Sequence, residues 1–315
     1  MRILVTGGAG FIGSHLCEAL LARGDEVCIL DNFNDFYDPG LKRRNVAGLQ
    51  GVRLVEGDIR DEALVGPLVA EGWDVVVHLA AMAGVRPSLD DPLHYQDVNL
   101  RGLTILLEAL RRSPGTRFVF ASSSSVYGGN TKVPFSELDA VERPVSPYAA
   151  TKRAGELLAY THHHLFGIPT TCLRFFTVFG PRQRPEMAIH KFVACVFDGR
   201  PIPFFGDGST RRDYTYVADI VDGVVRSIDR CEGYEIYNLG ESATTSLAEL
   251  VQWIGEACGV EPIIDRQPLQ PGDVTITYAD ISKAREKLGY DPSTPVREGL
   301  AHFVTWFKGN NPGAR

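Results

Sequence analysis

The sequence predicts an α/β protein, a doubly wound parallel sheet with a smaller, mostly helical C-terminal lobe. Three observations carry that prediction. An apolar run at residues 2–6 is followed at once by Gly7, Gly10 and Gly13, then by a helical pattern through Leu16, Leu20 and Leu21, which reads strand, tight turn, helix. From residue 26 to 174 short apolar runs alternate with longer helical ones, the pattern of a sheet covered on both faces. From Phe175 the alternation loosens into loops rich in proline and arginine.

In the first element, glycines let the backbone swing to positive φ, let a ligand approach the chain, and let helix and strand pack closely. The free N–H groups at the helix N-terminus then face an anion such as a pyrophosphate. The second strand, Glu26 to Leu30, ends at Asp31, eighteen positions after Gly13. A carboxylate there accepts hydrogen bonds from the ribose hydroxyls of NAD and repels the 2′-phosphate of NADP. The turn therefore reads as a Rossmann-like NAD site, spaced G-x-x-G-x-x-G.

The next strands are read at Val52–Glu56, Asp74–His78, Arg117–Ala121 and Thr170–Arg174, all as buried, and helices start at Glu62 after Asp61, at Pro92 after Asp91, and at Pro147 after Ser146. Ligands of such a sheet bind at the carboxyl ends of its strands. Asp58, in Gly57-Asp-Ile59, suits the adenine amino group or a helix cap, and Leu79-Ala80-Ala81 leaves room for a cofactor or is a plain turn. Arg86 is placed either to reach an anionic substrate or as a solvated loop residue.

The fifth strand runs into Ser122-Ser-Ser-Ser-Val-Tyr-Gly128, whose hydroxyls serve a ligand better than they serve a sheet. Further on, Ser146-Pro-Tyr-Ala-Ala-Thr-Lys152 opens a helix with Tyr148 and Lys152 four apart, on one face. A tyrosine with a reference pKa of about 10 is a poor base at neutral pH, and lowering it by three units takes about 4 kcal/mol. A neighbouring ammonium and a nicotinamide cation supply that kind of stabilisation. With a serine hydroxyl orienting an alcohol, Tyr148 takes the hydroxyl proton while hydride leaves for NAD. His162, His163 and His164 follow on the same helix, pointing about 100° apart, so they are read as surface or helix-end residues and no metal is expected.

Beyond Phe175, a helix is expected at about 187–198, a basic loop at 206–213, a return to the sheet over 214–240, and then two or three helices, one from Ser282 to Leu288 closed by Gly289. The division expected is an NAD-binding domain, 1–174 with 214–240 returning to it, and a substrate lobe formed by 175–213 and 241–315. The tail after Lys308 is expected to fray.

The bulk composition agrees with an enzyme of ordinary size: 315 residues, 44% of them hydrophobic. A net charge of −7 argues against a nucleic-acid partner. Six scattered cysteines without a C-x-x-C pair suit a reducing compartment. With the first strand beginning at Arg2 and no run long enough to span a bilayer, the expectation is a cytoplasmic protein without a membrane partner.

Along nearly its whole length the chain resembles the extended short-chain dehydrogenase/reductase family, on the glycine motif, the serine run and Tyr-x-x-x-Lys. Asn32-Phe-Asn-Asp-Phe-Tyr-Asp38, Arg174 to Ala188 and Gln270-Pro-Gly-Asp273 are most similar to nucleotide-sugar 4-epimerases acting on UDP-glucuronate. The resemblance implies cofactor contacts at Gly7, Gly10, Phe11, Ile12, Gly13, Asp31, Asn32, Asp58, Ile59, Leu79, Asn99, Tyr148 and Lys152, with Ala80 and Ala81 beside them. It also implies a sugar hydroxyl ligand at Ser123, flanked by Ser124 and Ser125, and a diphosphate ligand at Arg212. For the sugar carboxylate the candidates are Thr177, Ser124, Ser125 and Arg184, with Asp273 and Arg86 also on the substrate side.

Departures from sister enzymes narrow the choice. Family 4,6-dehydratases carry Asp-Glu, and UDP-glucuronate decarboxylases a Glu, where this chain has Ser124 and Ser125, so dehydration is disfavoured. UDP-glucose 4-epimerases usually carry Asn at Thr177 and Arg at Gln270, which puts that activity second. A catalytically silent NAD(P)-sensing protein is the alternative from another class, and intact Tyr148 and Lys152 speak against it. By the same resemblance, helices at about 92–112 and 146–166 would form a four-helix interface in a homodimer.

Overall fold

The computed structural model describes residues 1–269, 274–311 and 313. Seven parallel strands form one sheet: β1 (Arg2–Thr6), β2 (Glu26–Asp31), β3 (Arg53–Glu56), β4 (Val75–His78), β5 (Arg117–Ser123), β6 (Thr170–Phe175) and β7 (Tyr234–Leu239). Their order is β7-β6-β5-β4-β1-β2-β3, so the chain reverses direction of travel between β1 and β4. The inner strands are apolar on both faces because both faces are covered. Ile3 and Val5 of β1, like Val27 and Ile29 of β2, enter one core, whereas Leu4, Cys28 and Leu30 between them enter the other, as the two-residue period requires.

On the first face lie α1 (Phe11–Arg23), α2 (Pro39–Ala47), α8 (Val217–Asp229) and α10 (Ser282–Leu288). On the second lie α3 (Glu62–Ala70), α4 (Pro92–Gln96), α5 (Leu103–Arg111) and α6 (Pro147–Phe166). The helix starts follow their capping residues: Asp61 accepts from Ala63 and Leu64 N–H, and Ser146 accepts from Ala149 N–H. The helix expected over 92–112 is not uniform, since a π turn at Asp97–Gly102 joins α4 to α5.

The lobe packs α7 (Ala188–Phe197), α9 (Leu247–Cys258) and α11 (Val296–Asn310) around Phe192, Val193, Ile254, Leu300 and Phe303. Short strand pairs border it, Ile202–Phe205 with Ile264–Gln267 and Arg211–Arg212 with Thr245–Ser246. Three expectations need correction. The third strand is not buried: Arg53 and Leu54 are exposed because β3 is the sheet edge. Residues 279–290 do not belong with the lobe, because Ala279, Ile281, Ala284, Leu288 and Tyr290 complete the core beneath β7. The tail does not fray at Lys308, since α11 holds its helix to Asn310. Among the described residues no helix is long and apolar enough to cross a membrane.

Candidate active site

A cleft of about 360 Å³ opens at the carboxyl ends of β1, β4 and β5, where the strand order reverses and such sheets bind ligands. Its first wall is the glycine turn, with Gly7, Gly10, Phe11, Ile12 and Gly13 all facing the cavity. Gly7 has φ +73°, and a Cβ there would lie 2.6 Å from the Ala80 nitrogen. The N-terminus of α1 carries no side-chain cap and no acidic residue in its first turn. A helix end left open in this way offers its N–H groups to a diphosphate. On that observation the turn fits the dinucleotide expected of it.

Asp31 closes the wall at the end of β2. Its Oδ2 accepts from Ala9 N–H at 3.1 Å and its Oδ1 from Phe33 N–H at 2.9 Å, which aims the carboxylate and leaves each oxygen a lone pair for a ribose hydroxyl. Asn32, Ile59, Leu79, Ala80 and Ala81 also line the cleft. Asp58 is not on the wall. Arg60 takes both of its oxygens and Asn32 donates to one, and the Arg60 hydrogen bonds hold its carboxyl well below the usual range. Asn99, buried in the π turn, spends its amide on Met82 N–H, Met82 C=O and the Thr151 hydroxyl. It fixes the loop after β4 and does not face the cavity.

The catalytic candidates converge opposite the glycine turn. Ser123 ends β5 and its hydroxyl donates to Ser125 Oγ at 3.1 Å. Tyr148 and Lys152 face the cleft from α6, and Lys152 Nζ donates to the Ala121 carbonyl at 2.7 Å, 5.9 Å from the Tyr148 ring centre. Burial pushes Tyr148 up from the ordinary phenol value, while the neighbouring Ser123 hydroxyl and the charge of Arg184 pull it back. Burial pushes Lys152 down to about 8, opposed by Glu156. Burial thus moves the two groups apart, tyrosine up and lysine down, and a cation bound in the cleft is what favours the phenolate.

Ser124, Ser125, Thr177 and Arg184 also line the cleft. The Arg184 guanidinium lies 5.8 Å from the Phe36 ring centre, with Nε 2.8 Å from Glu186 Oε1 but off the hydrogen-bonding angle. Two expected arginines are elsewhere. Arg86 is exposed and stacks on Phe205 at 5.1 Å, and Arg212 donates to the Arg211 carbonyl in the lobe. Asp273 lies outside the described residues. His162 pairs with Glu108 and His163 with the Ile168 carbonyl, at the far end of α6 from Tyr148.

Other wall residues were not singled out from the sequence, Lys42 among them, and Phe36 and Tyr37 entered only as part of the stretch 32–38. Lys42 Nζ donates to the Asn34 carbonyl and side-chain oxygen and lies 5.0 Å from the Tyr37 ring centre. The signal was available in Asp38-Pro39, a cap followed by a first-turn proline, which starts α2 and turns Lys42 inward.

Comparison with known proteins agrees with this geometry. The family model described as GDP-mannose 4,6-dehydratase matches residues 4–303. UDP-glucuronate 4-epimerase 3 of Arabidopsis thaliana is 43% identical, over 99% of this chain and 78% of that protein. The crystal structure of a Bacillus cereus UDP-glucuronic acid 4-epimerase with UDP-glucuronic acid and NAD superposes with a TM-score of 0.93 at 36% identity, covering 98% of this chain and 100% of that one. A UDP-glucose 4-epimerase of Thermotoga maritima with UDP-glucose gives 0.92 at 32% identity, covering 98% and 99%.

Proposed function

This chain belongs to the GDP-mannose 4,6-dehydratase family, and from that footing we propose that it is an NAD-dependent isomerase that inverts C4 of UDP-glucuronate, giving UDP-galacturonate through a transient 4-keto sugar. The observation that carries the reading is the convergence of Ser123, Tyr148 and Lys152 beside a glycine turn open to a diphosphate. The Arabidopsis and Bacillus relatives support the sugar. Although the family takes its description from a dehydratase, elimination needs a carboxylic acid near the leaving hydroxyl, and Ser124 and Ser125 occupy that wall.

The chemistry NAD supplies when bound is reversible removal of hydride from C4. The residues do the rest. Tyr148, as phenolate, accepts the C4 hydroxyl proton, Ser123 holds that oxygen, and the Lys152 ammonium stabilises the phenolate. The glycine turn and Asp31 keep the cofactor in place while the 4-keto sugar turns over within the cleft, after which Tyr148 returns its proton. No net redox change results.

A 4-keto uronic acid is a β-keto acid, prone to lose carbon dioxide when its carboxylate bond stands perpendicular to the ketone plane. Arg184 is the candidate that pins the carboxylate, because a guanidinium fork fixes a carboxylate plane as a lysine cannot; Thr177, Ser124 and Ser125 complete the set. The exposed Leu93, Leu157 and Tyr160 on α4 and α6 support a homodimer through those helices. Six buried free thiols support a cytoplasmic setting. UDP-glucose 4-epimerisation is the second reading, favoured by the Thermotoga neighbour. Incubation with UDP-glucuronate, UDP-glucose and UDP-N-acetylglucosamine, followed by separation of the 4-epimers, tests both; stoichiometric NADH release during steady turnover would instead mark a dehydrogenase.

A further inference from the structure

A buried charged cluster stands one helical turn behind Lys152, and the chemistry above does not use it. Two successive residues of β5 are tied to α6. The Ala121 carbonyl accepts from Lys152 Nζ at 2.7 Å, and Ser122 Oγ donates to Glu156 Oε1 at 2.6 Å. Tyr148, Lys152 and Glu156 are spaced by four and so share one helix face. Glu156 is wholly buried, and the Arg174 side chain opposite it on β6 is 1% exposed. Arg174 Nε and Nη2 donate to the two Glu156 oxygens, each at 2.9 Å. Arg174 Nη1 donates to the Tyr127 hydroxyl, which donates to Asn238 on β7.

Replacing a buried ion pair by apolar side chains of like volume is often neutral or stabilising, so stability alone is a poor account of this one. We infer that Glu156, held by Arg174, is a positioning residue for the epimerase reaction: it sets the register of α6 on β5 and keeps the Lys152 ammonium charged behind Tyr148. The inference rests on the proposed roles of Tyr148 and Lys152.

The surroundings of Lys152 leave this task to Glu156. On its own helix Lys152 faces Tyr148 and Glu156; from β5 come the Ala121 carbonyl and the Phe120 ring; from β4 comes His78, pushed down to about 3 by burial and so neutral. Arg174 on β6 is turned to Glu156, and on α6 itself the partly exposed Arg153 donates Nη1 to Glu156 Oε2 at 2.9 Å. The Glu156 carboxylate is the group that favours the ammonium against burial. Without it, Lys152 gives up its proton at lower pH and the phenolate of Tyr148 loses its cation.

The test compares Glu156→Gln, Glu156→Gln with Arg174→Gln, and Glu156→Asp. Each is followed by kcat and KM for UDP-glucuronate against pH, thermal unfolding, and ultraviolet titration of the Tyr148 phenolate against a Tyr148→Phe background. Both Gln variants should move the alkaline limb of kcat down by about one pH unit and the phenolate titration upward, with KM within about threefold. The double variant, free of an unpaired buried arginine, should unfold near the wild-type temperature and keep the shifted limb. Glu156→Asp should restore the limb but not the rate, since it keeps the charge and gives up the register. A double variant that is folded like wild type and has its alkaline limb and phenolate titration in the wild-type place overturns the inference. A wild-type enzyme that epimerises no UDP-sugar would overturn the proposed function instead.

Discussion

Replacing Gly13 by alanine puts a Cβ 2.2 Å from the Gly7 carbonyl oxygen and 2.7 Å from the Gly8 Cα. Both contacts are with backbone, so the turn itself must yield by about 1 Å to reach ordinary van der Waals separation. Overpacking of this kind costs about 1–3 kcal/mol, and the better helix propensity of alanine returns up to about 1. The net loss of about 1–2 kcal/mol lowers the unfolding temperature by roughly 2–4 °C for a chain of this size. The displaced N–H groups are those offered to a diphosphate, and each charged hydrogen bond lost is worth about 1.5–3 kcal/mol, so NAD affinity should fall by at least about tenfold. Gly10→Ala is the contrast. Its Cβ would meet only the Gly7 oxygen, at 3.2 Å, so stability changes by no more than about 1 kcal/mol at this helix-cap position, while the methyl intrudes where the ligand approaches. Scanning calorimetry of the ligand-free variants and titration calorimetry with NAD separate the two effects. Unchanged unfolding of Gly13→Ala, or wild-type NAD affinity in Gly10→Ala, would refute the reasoning.

Tyr148→Phe should lower kcat by about 10²–10⁴ or more while leaving UDP-sugar affinity within a few-fold, because the ring stays and only the proton acceptor goes; wild-type turnover would sink the mechanism. Arg184→Lys and Arg184→Ala should slow epimerisation of UDP-glucuronate, with UDP-pentose appearing as decarboxylation competes, and leave UDP-glucose turnover little affected. Equal impairment on both sugars would show that Arg184 does not read the carboxylate. His78, bonded through Nδ1 to Thr6 at 2.7 Å, has its pKa pushed down to about 3 by burial. A group depressed on folding contributes stability above its unfolded value and loses it as pH falls towards the folded one. Urea midpoints of wild type should therefore drop between about pH 6.5 and pH 3 more steeply than those of His78→Gln; parallel curves would contradict this.

The sheet was legible because its inner strands are apolar on both faces and helix starts such as those after Asp61 and Ser146 carry their own caps, signals written within a few neighbouring residues. Gly7, Gly10, Gly13, Asp31 and the Tyr148–Lys152 pair were legible for the same reason: they lie at strand or helix ends with fixed spacing. Asp58 and Asn99 were harder, because what a polar side chain bonds is decided by distant residues. Arg60 and Asn32 claim Asp58, and the Met82 backbone claims Asn99. Arg184 and Arg86 look alike as loop arginines in sequence. Only tertiary packing separates them, putting one over Phe36 at the cleft and the other over Phe205 outside it. Lys42 was missed because α2 carries a weak apolar stripe, burying this lysine alongside Val46.

The return of residues 279–290 to the sheet has a consequence for how the chain can be cut. After β6 the polypeptide leaves for the lobe, comes back as α8 and β7, leaves again through α9, comes back as α10, and ends in the lobe as α11. A fragment stopping at residue 174 would keep the nucleotide turn yet lack β7, α8 and α10, leaving β6 as a bare edge and Leu173 and Val119 of that core uncovered. Such a piece is expected to aggregate rather than fold, and limited proteolysis should yield no soluble half. The same stitching makes the lobe unsuitable as a cassette for grafting onto another nucleotide-binding sheet, so new sugar preferences must arise by substitution in the cleft wall.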